Sequence, residues 1–286
     1  MSPRGRLKRV GSSAKTALGY YAARRRWREG RFRAALRPTD TFLVGHPKSG
    51  NTWLAYMLAV LLFPDAGERI TLANVGDFVP FVHGRDHRIR RYGRLVDPRV
   101  FRNENPQYPD LYPRVLYLIR DPRAALVSLW HMYRTMFDVS DLTLDSFLDQ
   151  YMASSGIFDW WNSKLVRWDR QVGPALERAE TGERIHVVTY EELVGGRERC
   201  LEAIAVFLGI SPAAGDLSRA VARGAFTAMR LLEEVHGAEA YNGRAAGDGM
   251  FVRRGRIDGW REELTGEQDA RIVDAFEPVM KRAGYL

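Results

Sequence analysis

The distribution of apolar and polar residues along the chain predicts three strands, each followed by a helix. Residues 41–44 form a short apolar run, which is followed by a loop with glycine and proline and then by a mostly apolar stretch over residues 52–63. Apolar runs of strand length recur at residues 114–119 and 183–189. Because short apolar runs bounded by turn residues are typical of buried strands, the pattern predicts a repeated strand–helix arrangement.

Longer segments with helical periodicity lie between and after these strands. The stretches over residues 70–94 and 237–249 show neither the apolar period of a strand nor that of a helix. We expect loops there, the first of them beside the acceptor. Pro122 lies where a helix can begin, since proline is well tolerated in a first helical turn. The predicted helices cover residues 122–137, 142–168 (as two helices), 197–208, 218–235 (with an interruption at Gly224) and 266–282.

The alternation of strands and helices predicts an α/β fold, with a central parallel sheet flanked by helices in a single domain. The chain has 286 residues, of which 45% are hydrophobic, and this suffices for one sizeable core. We expect the domain to span residues 39–286 and to follow a basic N-terminal arm, residues 1–38.

The charge balance favours an anionic partner. The formal net charge is +8 at pH 7, which suits an anionic ligand, a nucleic acid or an anionic membrane surface. Aromatic residues alternate with arginines in the arm, and two interpretations stay open: a partly helical segment packed on the domain, or a contact with anionic lipid or a polyanionic acceptor. No recognised nucleic-acid-binding module follows the arm, so we do not expect nucleic acid as a partner.

Several features are typical of a cytoplasmic protein. Cys200 is the one cysteine, so no intrachain disulfide can form, and this fits a reducing compartment. The longest strongly apolar run, residues 53–63, is too short to cross a bilayer, and the N-terminus lacks the apolar region of a signal peptide. We therefore expect a cytoplasmic protein, with peripheral contact to a membrane as a second possibility.

The loop after the first strand has the composition of an anion-binding loop. Gly45, Gly50 and Thr52 have the spacing of the Walker A phosphate-binding loop, but Asn51 occupies the position of the Walker A lysine. The lysine, Lys48, lies inside the loop instead. A strand, a glycine-containing loop and a helix direct backbone N–H groups at an anion. The loop therefore predicts phosphate binding, and Asn51 argues against a small-molecule kinase.

Residues 47–53, Pro-Lys-Ser-Gly-Asn-Thr-Trp, resemble the 5′-phosphosulfate loop of the PAPS-dependent sulfotransferases, whose usual form is P-K-S-G-T-T-W. Two further segments resemble this family's signatures in the same order. Arg120 and Ser128 match its 3′-phosphate motif, and Arg253, Arg254 and Gly255 match the phosphate-binding half of R-K-G-x-x-G-D-W. The resemblance covers roughly residues 40–265 and implies a P-loop-NTPase-like sulfotransferase fold.

The resemblance implies transfer of a sulfuryl group from 3′-phosphoadenylyl sulfate (PAPS) to a hydroxyl or amine, with release of PAP and no metal ion. Like phosphoryl transfer, the reaction needs cations on the leaving phosphate, donors on the equatorial oxygens and a base. Lys48 can reach the bridging oxygen, and Tyr190 and Phe226 match positions that contact adenine. The implied donor site comprises Lys48, Ser49, Gly50, Asn51, Thr52, Trp53, Arg120, Ser128, Tyr190, Phe226, Met229, Arg253, Arg254 and Gly255.

The base departs from the family pattern. Many relatives carry K-[ST]-H before the second motif, and the corresponding residues here are Arg102, Asn103 and Glu104. A carboxylate can act as a general base, and some carbohydrate sulfotransferases resemble this chain in using glutamate. We therefore expect Glu104 to be the base, assisted by Arg102. His83 and His87 stay open as alternatives.

The acceptor is less defined by the sequence. The aromatic-rich stretch over residues 142–168 suits a phenol or a lipid, whereas the basic loop over residues 85–94 suits an anionic glycan or a glycolipid. Glu104 favours an acceptor that contains carbohydrate. A protein that binds PAPS or PAP without catalysis is the alternative from a different functional class, and Lys48 favours an enzyme, because a pure binder has little use for it.

Overall fold

A four-stranded parallel sheet forms the centre of the molecule in the computed structural model, with the strand order β2-β1-β3-β6. The structure describes residues 22–83, 85–136, 139–153, 159–160, 163–164, 166–182, 184–238 and 251–286. The strands are β1 (Thr41–Gly45), β2 (Val100–Asn103), β3 (Arg114–Ile119), β4 (Asp159–Trp160), β5 (Ser163–Lys164) and β6 (Ile185–Thr189), of which β4 and β5 form a separate antiparallel pair.

The register brings the carboxyl ends of the four central strands to one edge of the sheet. Thr41 of β1 pairs with Val100 of β2 and with Arg114 of β3, and Val115 pairs with Ile185 of β6. In open parallel sheets, ligands bind outside this carboxyl edge. The predicted phosphate loop, the predicted base, the second motif and the predicted adenine-contacting tyrosine all begin within one residue of a strand end.

Helices cover both faces of the sheet and bury two apolar clusters. Phe42 belongs to a cluster with Leu126 and Phe276 on one face, and its neighbour Leu43 belongs to a cluster with Ile204 on the other. This alternation follows from the period of two along a strand. The helices are α1 (22–33), α2 (Asn51–Leu62), α3 (Pro122–Met136), α4 (Leu144–Ala153), α5 (Trp168–Glu180), α6 (Tyr190–Leu208), α7 (Asp216–Arg223), α8 (Phe226–His236) and α9 (Gly266–Arg282).

The predicted α/β fold is confirmed, and three elements differ from their predicted bounds. Strand β2 was not predicted. Among the described residues of the stretch 142–168, helix α4 is followed by the β4–β5 pair where a second helix was predicted. Helix α6 begins at Tyr190 rather than at residue 197, and Gly196 interrupts its helical backbone. The predicted loop over residues 237–249 lies outside the described residues from residue 239 onward.

Helix α1 packs on the domain through Phe32. This side chain is fully buried, its ring is stacked on that of Tyr108 at 5.7 Å, and it makes an edge contact with Phe42 at 5.8 Å. Nearby, the buried Asp40 and Arg99 form a salt bridge of 2.6 Å. The second half of the basic arm is therefore joined to the core, while residues 1–21 lie outside the described residues. Over the described part of the chain, each helix is too short or too polar to cross a membrane.

Candidate active site

The phosphate loop, residues 46–50, connects β1 to α2 through two residues with left-handed backbone. Gly50, which precedes the first turn of α2, has φ of 101°, and Lys48 has φ of 68°. Gly45 lies so close to β3 that a Cβ there would be 2.5 Å from the carbonyl oxygen of Leu118. The sequence therefore places glycine where the backbone needs it, and it also places one lysine in a conformation that side chains disfavour.

A buried histidine at the start of the loop connects it to helix α4. His46 Nδ1 lies 2.9 Å from the carbonyl oxygen of Pro47, and its Nε2 lies 2.8 Å from the hydroxyl of Tyr151. That hydroxyl also accepts the backbone N–H of Trp168 at 2.8 Å. Since Nδ1 must donate to the carbonyl, Nε2 accepts from the hydroxyl. Burial lowers the pKa of His46 to about 4, so the ring is neutral near pH 7.

Lys48 lies among other charged and aromatic groups at the cavity floor. Its ammonium nitrogen lies 4.3 Å from the ring centroid of Phe251. Burial lowers the pKa of Lys48 to about 8, although the carboxylate of Glu104 acts in the opposite direction and Arg120 adds to the lowering. Arg120 Nη1 donates to the Lys48 carbonyl at 2.9 Å, and its guanidinium lies 4.2 Å from the ring centroid of Tyr190. Arg120 of the second motif therefore holds the backbone of the phosphate loop at Lys48.

Asn51 joins the loop to the predicted base. Its Nδ2 lies 3.1 Å from the carbonyl oxygen of His46, 3.3 Å from that of Gly45 and 3.4 Å from Oε1 of Glu104. Gln171 donates to the backbone carbonyl of Glu104 at 2.9 Å. Asn51, which differs from the residue in the usual family loop, thus contacts Glu104, which replaces the usual histidine base.

Arg102 lies beside Glu104 at the end of β2. Its Nη1 donates to Oγ1 of Thr52 at 2.9 Å, and its guanidinium lies 4.3 Å from the ring centroid of Phe81. Both Arg102 and Glu104 line the cavity. A fixed positive charge is thereby held next to the carboxylate and the first turn of α2.

The two alternative bases lie elsewhere. Neither His83 nor His87 is among the residues that line the cavity. His83 is buried beside Phe81, and its pKa is lowered to about 4 by burial, with further lowering by Arg102 and Arg85. Burial and nearby arginines also lower the pKa of His87 to about 4. Within the described residues, the geometry thus favours Glu104 over either histidine as the candidate base.

The third motif is anchored to α8 by a buried carboxylate. Glu233 is fully buried and accepts the backbone N–H groups of Phe251 and Val252, the latter at 2.7 Å. Arg253 and Arg254, which follow directly, face Glu263: Arg253 Nη1 lies 2.7 Å and Arg254 Nη1 lies 3.3 Å from its Oε1. The arginines predicted to hold the 3′-phosphate are therefore positioned by carboxylates.

Aromatic side chains form the predicted adenine site. The rings of Trp53 and Tyr190 meet edge to face at 5.5 Å, and Trp53 Nε1 donates to the carbonyl of Gly224 at 2.8 Å. Gly255 has φ of 63°, and a Cβ there would be 2.4 Å from the ring of Phe226. The glycine of the third motif is therefore needed for close packing against the predicted adenine-stacking ring.

One cavity at the carboxyl edge of the sheet brings the predicted residues together. It has a volume of about 1470 Å³, including its open mouth. Every predicted site residue lines it except Ser49, which is fully buried beneath the loop. Arg197 and Arg256 add two cations that sequence reasoning missed. The other missed residues are Phe81, Ala124, Val127, Met132, Val194, Phe251, Val252, Gly259 and Trp260.

The cavity fits a ligand with phosphate groups. Among the described residues, the buried Ser49 Oγ, Arg120 Nε and Arg197 Nε have no hydrogen-bond partner, and buried polar atoms of this kind usually have one. Arg120 and Arg197 line the cavity, and Ser49 follows the lining residue Lys48 in the loop. The described residues contain no group of three or more metal-ligating side chains. The available donors are thus cationic side chains, hydroxyls and backbone N–H groups, as an anion requires.

Comparison with known proteins identifies the family. The family model named sulfotransferase domain matches residues 38–284 of this chain. The protein therefore belongs to the sulfotransferase family, and the prediction of a PAPS-dependent sulfotransferase is confirmed. The phosphate loop, the arginines and the sheet edge described above are parts of this family's domain.

Similar proteins are distant in sequence but cover most of the chain. An amine sulfotransferase of Oryctolagus cuniculus is 22% identical over 86% of this chain and 82% of its own. A 3-beta-hydroxysteroid sulfotransferase of Cavia porcellus is 24% identical over 90% of this chain and 88% of its own. A mouse sulfotransferase solved with PAP has a TM-score of 0.63 at 21% identity, covering 86% of this chain and 84% of its own. These likenesses support the predicted fold.

Proposed function

We propose that the protein transfers the sulfuryl group of PAPS to a hydroxyl of an acceptor that contains carbohydrate, such as a glycan or glycolipid. The contact between Asn51 and Glu104 carries the proposal, because it holds a carboxylate at the cavity against the loop that contains Lys48. A base and a cation on opposite sides of one position are what an in-line transfer requires. The proposed location is the cytoplasm, which relatives named cytosolic sulfotransferases support.

The residues around the loop would bind the donor, which supplies the activated sulfuryl group. Ser49 and the loop N–H groups would donate to the 5′-phosphosulfate, and the charged Lys48 would offset negative charge on the leaving oxygen. Arg253 and Arg254, with Ser128, would hold the 3′-phosphate by charge-assisted hydrogen bonds. That phosphate distinguishes PAPS from ATP.

Glu104 would take the proton of the acceptor hydroxyl. Arg102, fixed by Thr52 and Phe81, would supply a positive charge near this carboxylate. The named relatives act on amines and hydroxysteroids, so the acceptor class varies within the family. Support for a carbohydrate comes from the glutamate in the usual place of histidine, together with the cations Arg197 and Arg256 around the cavity.

The proposal is tested by transfer of radiolabelled sulfate from PAPS to a panel of acceptors: glycans, glycolipids, phenols, hydroxysteroids and amines. We expect labelled product with the carbohydrate acceptors. Glu104→Gln should reduce kcat by about 10²–10⁴-fold, the range of general-base catalysis, with PAP affinity nearly unchanged. Glu104→Asp, which keeps the charge, should retain more activity than Glu104→Gln.

Two results would contradict parts of the proposal. Transfer to phenols or amines alone would exclude the carbohydrate acceptor and leave the enzyme class intact. Tight PAP binding without transfer to any class, together with no effect of Lys48→Met on PAPS hydrolysis, would show a non-catalytic PAP-binding protein instead.

A further inference from the structure

Arginines from two separate segments form one positively charged face beside the N-terminal helix. Arg28 and Arg31 belong to α1, whereas Arg85, Arg88 and Arg91 belong to the segment around the 3-10 helix Asp86–Tyr92. We call these five residues the arginine face. The arginines are close enough to affect one another. The pKa of Arg88 is lowered mainly by burial and further by the charges of Arg85, Arg91 and Arg28.

The two segments are held together by Tyr108. Its hydroxyl donates to the carbonyl of Arg25 in α1 at 3.2 Å, and its ring is stacked on Phe32. Its backbone N–H donates to Oδ2 of Asp86 at 3.0 Å. Because these contacts involve backbone groups and a core ring, they hold the two arginine-bearing segments side by side.

The positive charge of this face is not neutralised within the described part of the chain. Asp86, next to Arg85 in sequence, is buried and accepts hydrogen bonds from Asn103, Gln107, Tyr108 and Tyr112. The described residues form no salt bridge with any of the five arginines, whereas the neighbouring Arg33 and Arg37 are paired with Glu29 and Asp97. Five adjacent cations that repel one another are stabilised by an anionic partner.

An exposed tryptophan lies within this face. Trp27 is 57% exposed, and the guanidinium of Arg31 lies 4.6 Å from its ring centroid. The first 28 residues of the chain contain nine lysines and arginines and no acidic residue. Tryptophan prefers the boundary between lipid and water, and a polybasic segment is attracted to anionic headgroups. A soluble polyanion would satisfy the arginines but would offer less to an exposed indole.

We propose that the arginine face and Trp27 dock the protein on an anionic lipid surface. The segment that contributes Arg85 adjoins the cavity, since Asp86 accepts from Asn103, the residue that precedes Glu104. Docking would therefore bring the cavity mouth near the membrane. This proposal stands independently of the acceptor, because it concerns binding to lipid alone.

Flotation of the full chain with lipid vesicles tests the proposal. We expect binding to vesicles of phosphatidylcholine mixed with phosphatidylserine, no binding to phosphatidylcholine alone, and loss of binding at high salt. Arg28→Glu with Arg88→Glu should weaken binding at least about tenfold, since each cation near the surface contributes. Trp27→Ala should weaken it as well.

Arg170→Glu with Arg199→Glu is the matched control, because it reverses the same charge at exposed positions on α5 and α6. This control should bind vesicles like the unchanged protein, and thermal stabilisation by PAP should show that both double variants are folded. The proposal is overturned by absence of vesicle binding, by equal loss in the control, or by binding to soluble dextran sulfate without binding to vesicles.

Discussion

The hydroxyl of Tyr151 in α4 donates a hydrogen bond of 2.8 Å to Nε2 of His46, although 105 residues separate the two in the sequence. The same hydroxyl accepts the N–H of Trp168 at the start of α5. His46 in turn donates to Pro47 in the phosphate loop. Two helices from the far half of the chain thereby determine the conformation of the loop that surrounds Lys48.

His46→Phe should lower the free energy of unfolding by about 2 kcal/mol or more. The substitution leaves the Pro47 carbonyl without its donor and the Tyr151 hydroxyl without its acceptor, and each buried unpaired group costs about 1–3 kcal/mol. Urea unfolding of His46→Phe, Tyr151→Phe and the double variant measures this. The two effects should be less than additive, and full additivity would show that the hydrogen bond contributes nothing.

The neutral state of His46 predicts a pH dependence of stability. Its pKa is about 4 in the folded protein against 6.5 for a solvent-exposed histidine, so the unfolded chain binds the proton more tightly. Stability is therefore complete above pH 6.5 and falls by about 3 kcal/mol as the pH drops towards 4. His83 and His87 act in the same direction. Urea unfolding over this range should show a smaller slope in His46→Phe, and an unchanged slope would contradict the assignment.

Lys48 predicts an alkaline limit to donor binding. Burial holds its pKa at about 8, so the charge on Lys48 is lost as the pH rises above that value. Affinity for PAP, measured by calorimetry, should therefore fall above about pH 8. Lys48→Arg keeps its charge over the whole range, and its affinity should stay level there. A decline of the same size in Lys48→Arg would assign the limit to another group.

The paired arginines of the third motif predict discrimination by the 3′-phosphate. PAP should bind more tightly than AMP, which lacks that phosphate, and Arg253→Ala with Arg254→Ala should remove most of the difference. Loss of one charge-assisted hydrogen bond costs about 1.5–3 kcal/mol, or roughly 10–150-fold in affinity. Arg282→Ala, a surface arginine paired with Glu180, serves as the control. Equal losses for PAP and AMP would place the 3′-phosphate elsewhere.

Substitution by alanine should have opposite effects on stability at two glycines. A Cβ at Gly45 would lie 2.5 Å from both the Leu118 carbonyl and the Asn51 side chain, so Gly45→Ala should destabilise the fold by about 1–3 kcal/mol. Gly30, in α1, has open space around it, so Gly30→Ala should stabilise by about 0.5–1 kcal/mol. Thermal unfolding of both variants tests the pair, and a tolerated Gly45→Ala would mean that β1 and β3 can move apart.

The sequence predicts those parts of the fold that depend on local signals. Strand β3 and helix α9 have the predicted bounds, because each is a continuous periodic run between turn residues. Strand β2 has only four residues, two of them polar, and its extended form comes from pairing with β1. The start of α6 could have been found, since Thr189 and Glu192 form a capping box with a visible sequence spacing.

The residues of the candidate site also differ in whether local sequence predicts them. The motif residues around Lys48 and Arg120 are contiguous in sequence and could be predicted, and the structure brings all of them except Ser49 to the wall of one cavity. Arg197 and Phe81 reach the cavity only through packing, so no local pattern marks them. His46 belongs to the loop by sequence, but its contact with Tyr151 depends on a residue 105 positions away. Asn51 was identified as a departure from the family loop, but its contact with Glu104 needs β1 and β2 side by side.

The left-handed backbone of Lys48 sets folding and activity in opposition. Its φ of 68° is unfavourable for any residue with a side chain, and the same residue carries a charge into a buried place. A glycine at this position would relieve both costs, yet it would remove the cation that we propose to act on the donor. Selection for stability alone would favour replacement of the lysine, so its presence agrees with the proposed role of its charge in sulfuryl transfer.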